Sequence, residues 1–255
     1  MVKAVEDFCE GLPNGKLDYE RELRELVLRL YAKHTTNGCK YFLDKTPRYH
    51  LIIEEVIRLF PEAKFIFLWR NPLAIIASLV ETFGRGKWKL WHHRVDLFKG
   101  IVNLVSAYSA HSDLACAVRY EDILTNSDAE CKRLFAYLGL PFHSEVTSSF
   151  DGVQLAGRLG DPVGAKQYRR ISPEPLTKWE QVVANPVRKA WCRRYLYWVG
   201  AQRLRVMGYD IDQLFAQLNS APMSFRFLAS DLLYLTYSAA QVAMCRAQED
   251  LLFYT

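Results

Sequence analysis

The clearest indication of the fold is the stretch KFIFLWRNPLAIIASLVETF, residues 64–83. It opens with the continuous apolar run KFIFLW, which is typical of a strand buried on both faces of a sheet. Asn71 can cap a following helix, and Pro72 suits the first turn of that helix. A strand, a tight turn and a helix in this order predict a parallel α/β sheet. Ligands of such sheets bind beyond the carboxyl ends of the strands.

The size and charge of the chain narrow the class of protein. Its 255 residues suit one large α/β domain, with or without a small appendage. The net charge of +5 is mild: it fits an anionic small ligand and falls short of a nucleic-acid binder. We therefore expect no nucleic-acid partner.

Neighbouring segments extend the alternation of strands and helices. KYFLD (40–44) and LACAVRY (114–120) are predicted as further strands. Residues 150–175 are rich in Gly, Pro and basic side chains, which indicates a functional loop. We expect an α/β domain over 1–210 and a helical C-terminal extension over 211–255. Helical spacing of apolar residues predicts helices over 18–33, 49–60, 94–110, 127–139, 177–206 and 224–254.

Two polar residues of the first stretch are candidates for binding a phosphate. Arg70 follows the apolar run directly, so its guanidinium should emerge at the carboxyl edge of the strand. Ser78 lies about two helical turns, ~10 Å, beyond Asn71 on the same helical face. An arginine fork and a hydroxyl placed in this way can hold a phosphate group. The spacing alone favours a salt-bridged arginine and a packed serine.

Residues 44–83 resemble the sulfotransferase family, in which a strand ends in Arg-Asn or Arg-Asp and a serine follows eight residues after the arginine. The resemblance implies that Arg70 and Ser78 bind the 3′-phosphate of the sulfuryl donor 3′-phosphoadenosine-5′-phosphosulfate (PAPS). The family element Tyr-Glu-Asp occurs at residues 120–122 and implies that Tyr120 lies beside the adenine. The resemblance covers residues 40–200 and implies a P-loop-like parallel sheet flanked by helices.

The segment Asp-Lys-Thr-Pro at residues 44–47 is similar to the Glu-Lys-Thr-Pro of carbohydrate sulfotransferases. The resemblance implies that Asp44 is the general base for the acceptor hydroxyl and that Lys45 meets the sulfate or the bridging oxygen. An alcohol needs such a base, and a lysine can neutralise charge on the leaving phosphate. Aspartate shortens the arm by one methylene. Alternatives are a strand-end cap or an Asp44–Lys45 salt bridge, and His50 is a second candidate base.

One element of the family is not found in this sequence. The family opens with a loop of the type Pro-Lys/Arg-Ser-Gly-Thr, whose N–H groups cradle the 5′-phosphosulfate. The nearest segment, LPNGK at residues 12–16, has no Ser or Thr after the lysine and no apolar strand before it. We therefore expect an amino-terminally shortened or degenerate member that lacks the first strand-loop-helix unit.

A basic loop late in the chain is a further candidate for the donor site. In the family, such a loop closes over the 3′-phosphate. The resemblance therefore implies that Lys166, Arg169 and Arg170 contact the cofactor. A solvated run of charges is the alternative interpretation.

Three other segments allow more than one interpretation. Trp88, Trp91, His92 and His93 either line an acceptor pocket or pack as an aromatic cluster. The basic residues of 185–206 predict a solvated helix face with aromatic packing rather than a nucleic-acid surface. Residues 227–245 contain one charged residue, an aspartate. We expect this helix to dock on the domain, a partner or a membrane surface rather than to span a membrane.

The expected function is transfer of a sulfuryl group from PAPS to a hydroxyl or amine of an unidentified small-molecule, carbohydrate or lipid acceptor. The alternative is a truncated or degenerate, non-catalytic protein that binds a nucleotide or a partner. No metal is expected, because fixed basic groups do the electrostatic work. A nucleotide kinase would need G-x-x-x-x-G-K-[ST], which is absent. Six cysteines without a C-x-x-C pair, and no apolar leader, favour a cytoplasmic chain.

Overall fold

A computed structural model describes residues 2–35, 38–148, 171, 173 and 175–252, with side chains described between residues 3 and 241. The chain forms two compact units, Met1–Ala63 and Lys64–Thr255. The predicted boundary between residues 210 and 211 stays a prediction.

The first unit is helical. Its helices are α1 (Val2–Glu10), α2 (Lys16–His34) and α3 (Ile53–Leu59), and a 3₁₀ turn, Tyr49–Leu51, precedes α3. Arg58 of α3 donates a hydrogen bond of 2.7 Å to Glu20 of α2, so these two helices are in contact. The helices predicted over 18–33 and 49–60 are confirmed.

The strand predicted over residues 40–44 is wrong. These residues form no strand, and Tyr41, Phe42 and Leu43 are exposed. A strand needs a neighbour to take up its backbone hydrogen bonds, and the described part of the first unit contains no other strand. The Phe42 ring stacks instead on the ring of Tyr31, with centroids 4.2 Å apart.

The second unit contains a parallel pair of strands, as predicted. They are β1 (Phe65–Trp69) and β2 (Ala115–Arg119). The register places Phe65 opposite Ala115 and Trp69 opposite Arg119. Within the described residues the sheet has these two strands, so the fold is α/β with a small parallel sheet.

The burial predicted for β1 on both faces is wrong. Phe67 and Trp69 are buried, whereas Ile66 is 38% and Leu68 58% exposed. Because successive side chains of a strand point to opposite faces, β1 covers the core with one face only. An apolar run cannot show this, since both faces carry the same kind of residue.

Helix α4 (Pro72–Thr82) follows β1 after a tight turn, as the sequence predicts. The Asn71 side chain caps the helix by accepting a hydrogen bond of 2.9 Å from the Leu73 N–H, and Pro72 occupies the first turn. The buried residues of α4 recur at the spacing of a helix packed on a core; they include Leu73, Ile76, Ala77 and Val80.

The chain between and after the strands is also helical. The helix predicted over 94–110 begins with a π-helical turn and continues as α5, and the one predicted over 127–139 ends at Gly139 with a positive φ of 63°. The elements here are a 3₁₀ turn (Leu90–His93), the π turn (Val95–Gly100), α5 (Ile101–Ala110), α6 (Tyr120–Thr125), α7 (Ser127–Leu138) and α8 (Glu145–Ser148).

Four helices complete the described part of the second unit. The helix predicted over 177–206 is interrupted at two places. Asn185 caps the helix that begins at Pro186 by accepting a hydrogen bond from the Arg188 N–H, and that helix is kinked at Gly200, whose φ of 79° is not helical. The predicted loop over 150–175 falls almost wholly outside the described residues. The helices are α9 (Pro175–Val182), α10 (Pro186–Val206), α11 (Ile211–Ser220) and α12 (Leu228–Leu252).

Aromatic rings form part of the core beside α10. The rings of Trp88 and Trp191 meet edge to face with centroids 5.6 Å apart, and Phe98 meets Tyr195 at 5.5 Å. The buried Tyr195 hydroxyl donates a hydrogen bond of 2.7 Å to the Leu97 carbonyl. Trp88 therefore packs in this aromatic cluster, which is one of the two interpretations given for its segment.

A buried ion pair attaches α12 to α10. Arg188 contacts the Asp231 carboxylate at 2.6 Å, and their side chains are 3% and 0% exposed. Asn185 donates a further hydrogen bond to Asp231. The prediction of a solvated position is therefore wrong for Arg188. A buried carboxylate is costly unless it is paired, and Arg188 supplies that partner.

Other basic residues of α10 are also engaged within the second unit. Their side chains donate hydrogen bonds to carbonyl or amide oxygens of the same unit. These cations are therefore less available for contacts with a nucleic acid. These residues are Lys189, Arg193 and Arg203. None of the described helices combines the length and apolar character needed to cross a membrane.

Candidate functional site

Arg70 lies at the carboxyl edge of the sheet, directly after the last residue of β1. Its guanidinium stacks over the ring of Tyr120, 4.7 Å from the ring centroid. Tyr120 directly follows β2, and the parallel register pairs the last residues of the two strands, Trp69 and Arg119. The sheet therefore brings together two of the predicted donor-site residues.

The Arg70 guanidinium is incompletely satisfied. Its Nε is buried and has no hydrogen-bond partner among the described residues of the second unit. A buried donor without a partner costs about 1–3 kcal/mol. An anion placed beside this edge of Arg70 would remove that cost, since charge-assisted hydrogen bonds to arginine are among the stronger ones in proteins.

The amino terminus of α4 begins immediately beyond Arg70. The first N–H groups of a helix carry a partial positive charge and favour anions. Ser78 is half-exposed on α4, two turns along the helix. Arg70 and Ser78 thus lie on one strand-turn-helix unit, and Tyr120 directly follows the neighbouring strand.

Glu121 fixes the turn that carries Arg70, and the sequence did not single it out. Its Oε1 accepts a hydrogen bond of 2.8 Å from the backbone N–H of Asn71, and its Oε2 accepts one of 2.6 Å from the Tyr209 hydroxyl. Burial, and next the hydrogen bond to Glu121, raise the pKa of Tyr209, so its hydroxyl remains a donor. Glu121 therefore ties the end of β1 to the start of α6.

The position of Tyr209 depends on the glycine before it. Gly208 has a φ of +84°, and a Cβ there would lie 2.8 Å from Cδ of Arg119. A side chain at this position would be strained and would collide with Arg119. Glu121 is the middle residue of the Tyr-Glu-Asp element, which was a signal for it, but nothing in the sequence points to its hydrogen bond with Tyr209.

A small cleft opens beside this turn. It has a volume of about 100 Å³. Ligand sites for drug-sized molecules measure about 300–1,000 Å³, so this cleft alone is too small for a nucleotide. Its lining includes Asn71, Arg119, Glu121, Tyr209 and Gln213.

Asp44 lies in the first unit and is held by hydroxyl groups. Its Oδ2 accepts hydrogen bonds from the hydroxyls of Tyr31 and Tyr49, and its Oδ1 accepts one of 2.9 Å from Thr46. Burial raises the pKa of Asp44, but the three hydrogen bonds outweigh it and leave that pKa below its ordinary value. Asp44 is therefore a carboxylate at neutral pH, and a weak base.

The other candidates of the first unit differ in exposure. Lys45 is exposed, whereas His50 is buried. Asp44 and Lys45 lie in the first unit, and the predicted donor-site residues Arg70, Ser78 and Tyr120 lie in the second.

The segment LPNGK does not form a phosphate-binding loop. It is the turn between α1 and α2, and the backbone N–H of Asn14 donates a hydrogen bond of 2.9 Å to the Asp18 carboxylate. The Asn14 side chain bonds the same carboxylate. A carboxylate at this place repels a phosphate, which agrees with the rejection of this segment.

Several predicted residues cannot be placed in the site. Lys166, Arg169 and Arg170 lie outside the described residues. Trp91 and His92 line a groove with α12, together with the buried Trp88. His93 contacts the ring of Phe83 instead, with centroids 5.1 Å apart. Whether this groove takes an acceptor stays a prediction. Among the described residues, no group of His, Cys, Asp and Glu could hold a metal ion.

Comparison with known proteins identifies the class to which this chain belongs. The family model described as "Sulfotransferase family" matches residues 14–144, a span that contains Asp44, Arg70, Ser78 and Tyr120. The chain is a member of the sulfotransferase family.

Two individual proteins are similar over parts of their length. The chain is 39% identical over 77 residues to nodulation protein NoeE of Sinorhizobium fredii (strain NBRC 101917 / NGR234), covering 30% of this chain and 18% of that relative. The sulfotransferase domain from the curacin biosynthetic pathway matches with 24% identity and a TM-score of 0.44, over 60% of this chain and 55% of that domain. This chain therefore matches less than two thirds of either protein.

Proposed function

We propose that this chain transfers a sulfuryl group from PAPS to a hydroxyl or amine of an acceptor. The observation that carries the proposal is the environment of Arg70. Its guanidinium stacks on Tyr120, its buried Nε has no partner among the described residues of the second unit, and it stands at the amino terminus of α4. Membership of the sulfotransferase family supports the reaction class.

The second unit supplies the groups that would bind the donor. Arg70 and Ser78 hold its 3′-phosphate, and Tyr120 lies beside its adenine. The bound donor supplies the activated sulfuryl group. Glu121 is a positioning residue, because it acts through the Asn71 N–H on the turn that carries Arg70. Lys166, Arg169 and Arg170 remain candidates for closing over the phosphate.

The first unit supplies the proposed reacting groups. Asp44 accepts the proton of the acceptor hydroxyl, and Lys45 neutralises charge that develops on the leaving phosphate. The low pKa of Asp44 keeps it ionised at neutral pH. Its Oδ2 accepts the hydrogen bonds of Tyr31 and Tyr49, whereas Oδ1 accepts that of Thr46, so Oδ1 is the oxygen better placed to take a proton.

A non-catalytic nucleotide-binding protein is the second candidate. The contacts of Asp44 favour it, because a carboxylate held by three hydroxyls is a weaker base than a free one. In that case the donor site of the second unit would bind a nucleotide without transfer. A cytoplasmic location is part of both proposals. The free thiols of Cys9, Cys116 and Cys192 support it.

Transfer of radiolabelled sulfate from PAPS to a panel of hydroxyl and amine acceptors tests the proposal. We expect transfer by the full chain, and its loss in Arg70→Ala and Asp44→Ala. The exposed residues Arg205 and Asp113 offer matched controls, and their alanine variants should retain transfer. Nucleotide binding without transfer would favour the second candidate. Transfer that survives both Arg70→Ala and Asp44→Ala would refute the residue assignment.

A further inference from the structure

Over residues 228–241, the part of α12 whose side chains are described, no exposed position carries a charged side chain. The exposed positions include six at the spacing of one helical stripe. Leu233 is 71%, Leu232 50% and Tyr237 47% exposed. We call this set the α12 stripe; it consists of Ala229, Leu232, Leu233, Thr236, Tyr237 and Ala240.

The α12 stripe inverts the usual arrangement of a surface helix. Such helices turn apolar residues inward and charged residues outward. Here the one charged residue of 227–245, Asp231, is fully buried against Arg188. Phe225 and Met223, just before the helix, are 70% and 61% exposed. A group of exposed apolar side chains of this kind indicates an interaction site.

Positive charge borders the α12 stripe. The loop after α4 lies beside α12: a Cβ on Gly86 would stand 3.3 Å from the ring of Phe227, just before the helix, and Lys89 Nζ lies 5.8 Å from the ring centroid of Tyr234. We call the cations of this loop and of the approach to α12 the basic rim; they are Arg85, Lys87, Lys89 and Arg226.

No exposed acid balances the basic rim within its own segments. Residues 83–94 contain no Asp or Glu, and residues 221–240 contain Asp231 alone. Two copies of this surface facing each other would bring their cations together. An anionic surface would attract them instead, since membrane-adjacent Lys and Arg gain energy from anionic lipids.

We infer that the α12 stripe and the basic rim dock on an anionic lipid surface, with α12 lying along it. Apolar and aromatic side chains would enter the headgroup region, and the cations would meet lipid phosphates. A groove of about 370 Å³ between the loop and α12 is lined by Trp91, Tyr234 and Tyr237. Such aromatic residues favour the interface between water and lipid. This inference does not depend on the proposed sulfuryl transfer.

Flotation of the full chain with vesicles tests the inference. The probes are phosphatidylcholine vesicles with and without phosphatidylserine, at low and at high salt. We expect binding to the phosphatidylserine vesicles at low salt, and about tenfold weaker partitioning for Leu233→Ser. Lys87→Glu should weaken binding to phosphatidylserine vesicles by a similar factor and leave the residual binding to phosphatidylcholine unchanged.

Two control variants test whether a loss of vesicle binding is specific to the α12 stripe and the basic rim. Leu17 is 73% exposed, so Leu17→Ser changes an equally exposed leucine, and Lys132→Glu reverses an exposed charge on α7. Both should bind vesicles as the unmodified chain does. The inference is wrong if phosphatidylserine vesicles do not bind, or if these controls lose as much binding as the stripe variants. If vesicles do not bind and Leu233→Ser dissociates a dimer in light scattering, the α12 stripe joins two copies of the chain instead of docking on lipid.

Discussion

Two arginines of the second unit stand in contrasting environments. Arg188 stacks over Trp88 with 5.1 Å to the ring centroid, and Arg70 stacks over Tyr120 with 4.7 Å. The Arg188 guanidinium donates four hydrogen bonds, two to the Asp231 carboxylate and two to backbone carbonyls. The Arg70 Nε is buried without a partner among the described residues of the second unit.

This contrast separates a structural arginine from a candidate binding arginine. Buried donors in native proteins are almost always satisfied. Arg188 finds its acceptors inside the fold, so its removal should destabilise the fold. Arg70 lies at a sheet edge and a helix amino terminus, where an anionic ligand can supply the missing acceptor. Its removal should reduce binding and leave stability almost unchanged.

The largest expected effect follows from breaking the Arg188–Asp231 pair. Asp231→Ala leaves a buried, unpaired guanidinium, and we expect it to lower the free energy of unfolding by about 3–5 kcal/mol. Urea unfolding followed by circular dichroism measures this. The exposed Asp212 provides the control, and Asp212→Ala should change stability by less than about 0.5 kcal/mol. An unchanged stability in Asp231→Ala would show that the pair does not hold α12.

Removal of Arg70 is expected to weaken nucleotide binding and to leave stability almost unchanged. Arg70→Ala removes the phosphate fork, and we expect affinity for adenosine 3′,5′-bisphosphate to fall about 10–100-fold, as for loss of hydrogen bonds to a charged group. Its unfolding free energy should change by less than about 1 kcal/mol, because the Nε has no partner to lose. Calorimetry and urea unfolding of the same preparation give both values. A large loss of stability would place Arg70 with Arg188 as a structural residue.

A smaller effect is expected from the support of the Arg70 turn. Tyr209→Phe removes one hydrogen bond to Glu121, which costs about 1 kcal/mol and loosens the carboxylate that holds the Asn71 N–H. Affinity for the bisphosphate should fall a few-fold. Tyr197→Phe, which alters an exposed tyrosine of α10, is the control. Equal affinities in Tyr209→Phe and the unmodified chain would show that the hydrogen bond between Tyr209 and Glu121 does not support nucleotide binding.

The smallest effect concerns the pH dependence of the first unit. The folded pKa of Asp44 lies below its ordinary value of 3.8. Its contacts therefore stabilise the fold above pH 3.8, and this effect is lost as the pH falls further, through the lowered pKa of the folded state. The contribution is at most about 1 kcal/mol, because Asp44 is exposed and screened by solvent. Asp44→Asn should therefore flatten the decline of stability between about pH 5 and pH 2. A decline that is identical in both chains would exclude this contribution.

The sequence predicted those parts of the fold that depend on neighbouring residues. The strand, the Asn71 cap and α4 follow from an apolar run, a capping side chain and a helical period within 64–83. The strand predicted over 40–44 failed because a strand depends on a partner elsewhere in the chain. Burial on both faces of β1 failed for a similar reason, because it depends on what packs against each face.

In the candidate site and beside it, too, the sequence predicted what depends on neighbouring residues and missed what depends on distant ones. Arg70, Ser78 and Tyr120 were predicted as site residues from local motifs and a family resemblance. The hydrogen bonds of Glu121 to Asn71 and Tyr209, and of Asp231 to Arg188, join residues far apart in the chain. No local pattern distinguishes Arg188 from its solvated neighbours on α10, so its burial required the fold.

The most direct test of Arg70 as a phosphate-binding residue compares two nucleotides by calorimetry on the full chain. Adenosine 3′,5′-bisphosphate and adenosine 5′-phosphate differ by the 3′-phosphate that Arg70 is proposed to bind. We expect the unmodified chain to prefer the bisphosphate by about tenfold or more, and Arg70→Ala to bind both nucleotides equally. Equal binding of the two nucleotides by the unmodified chain, or a preference that survives in Arg70→Ala, would contradict the proposed site.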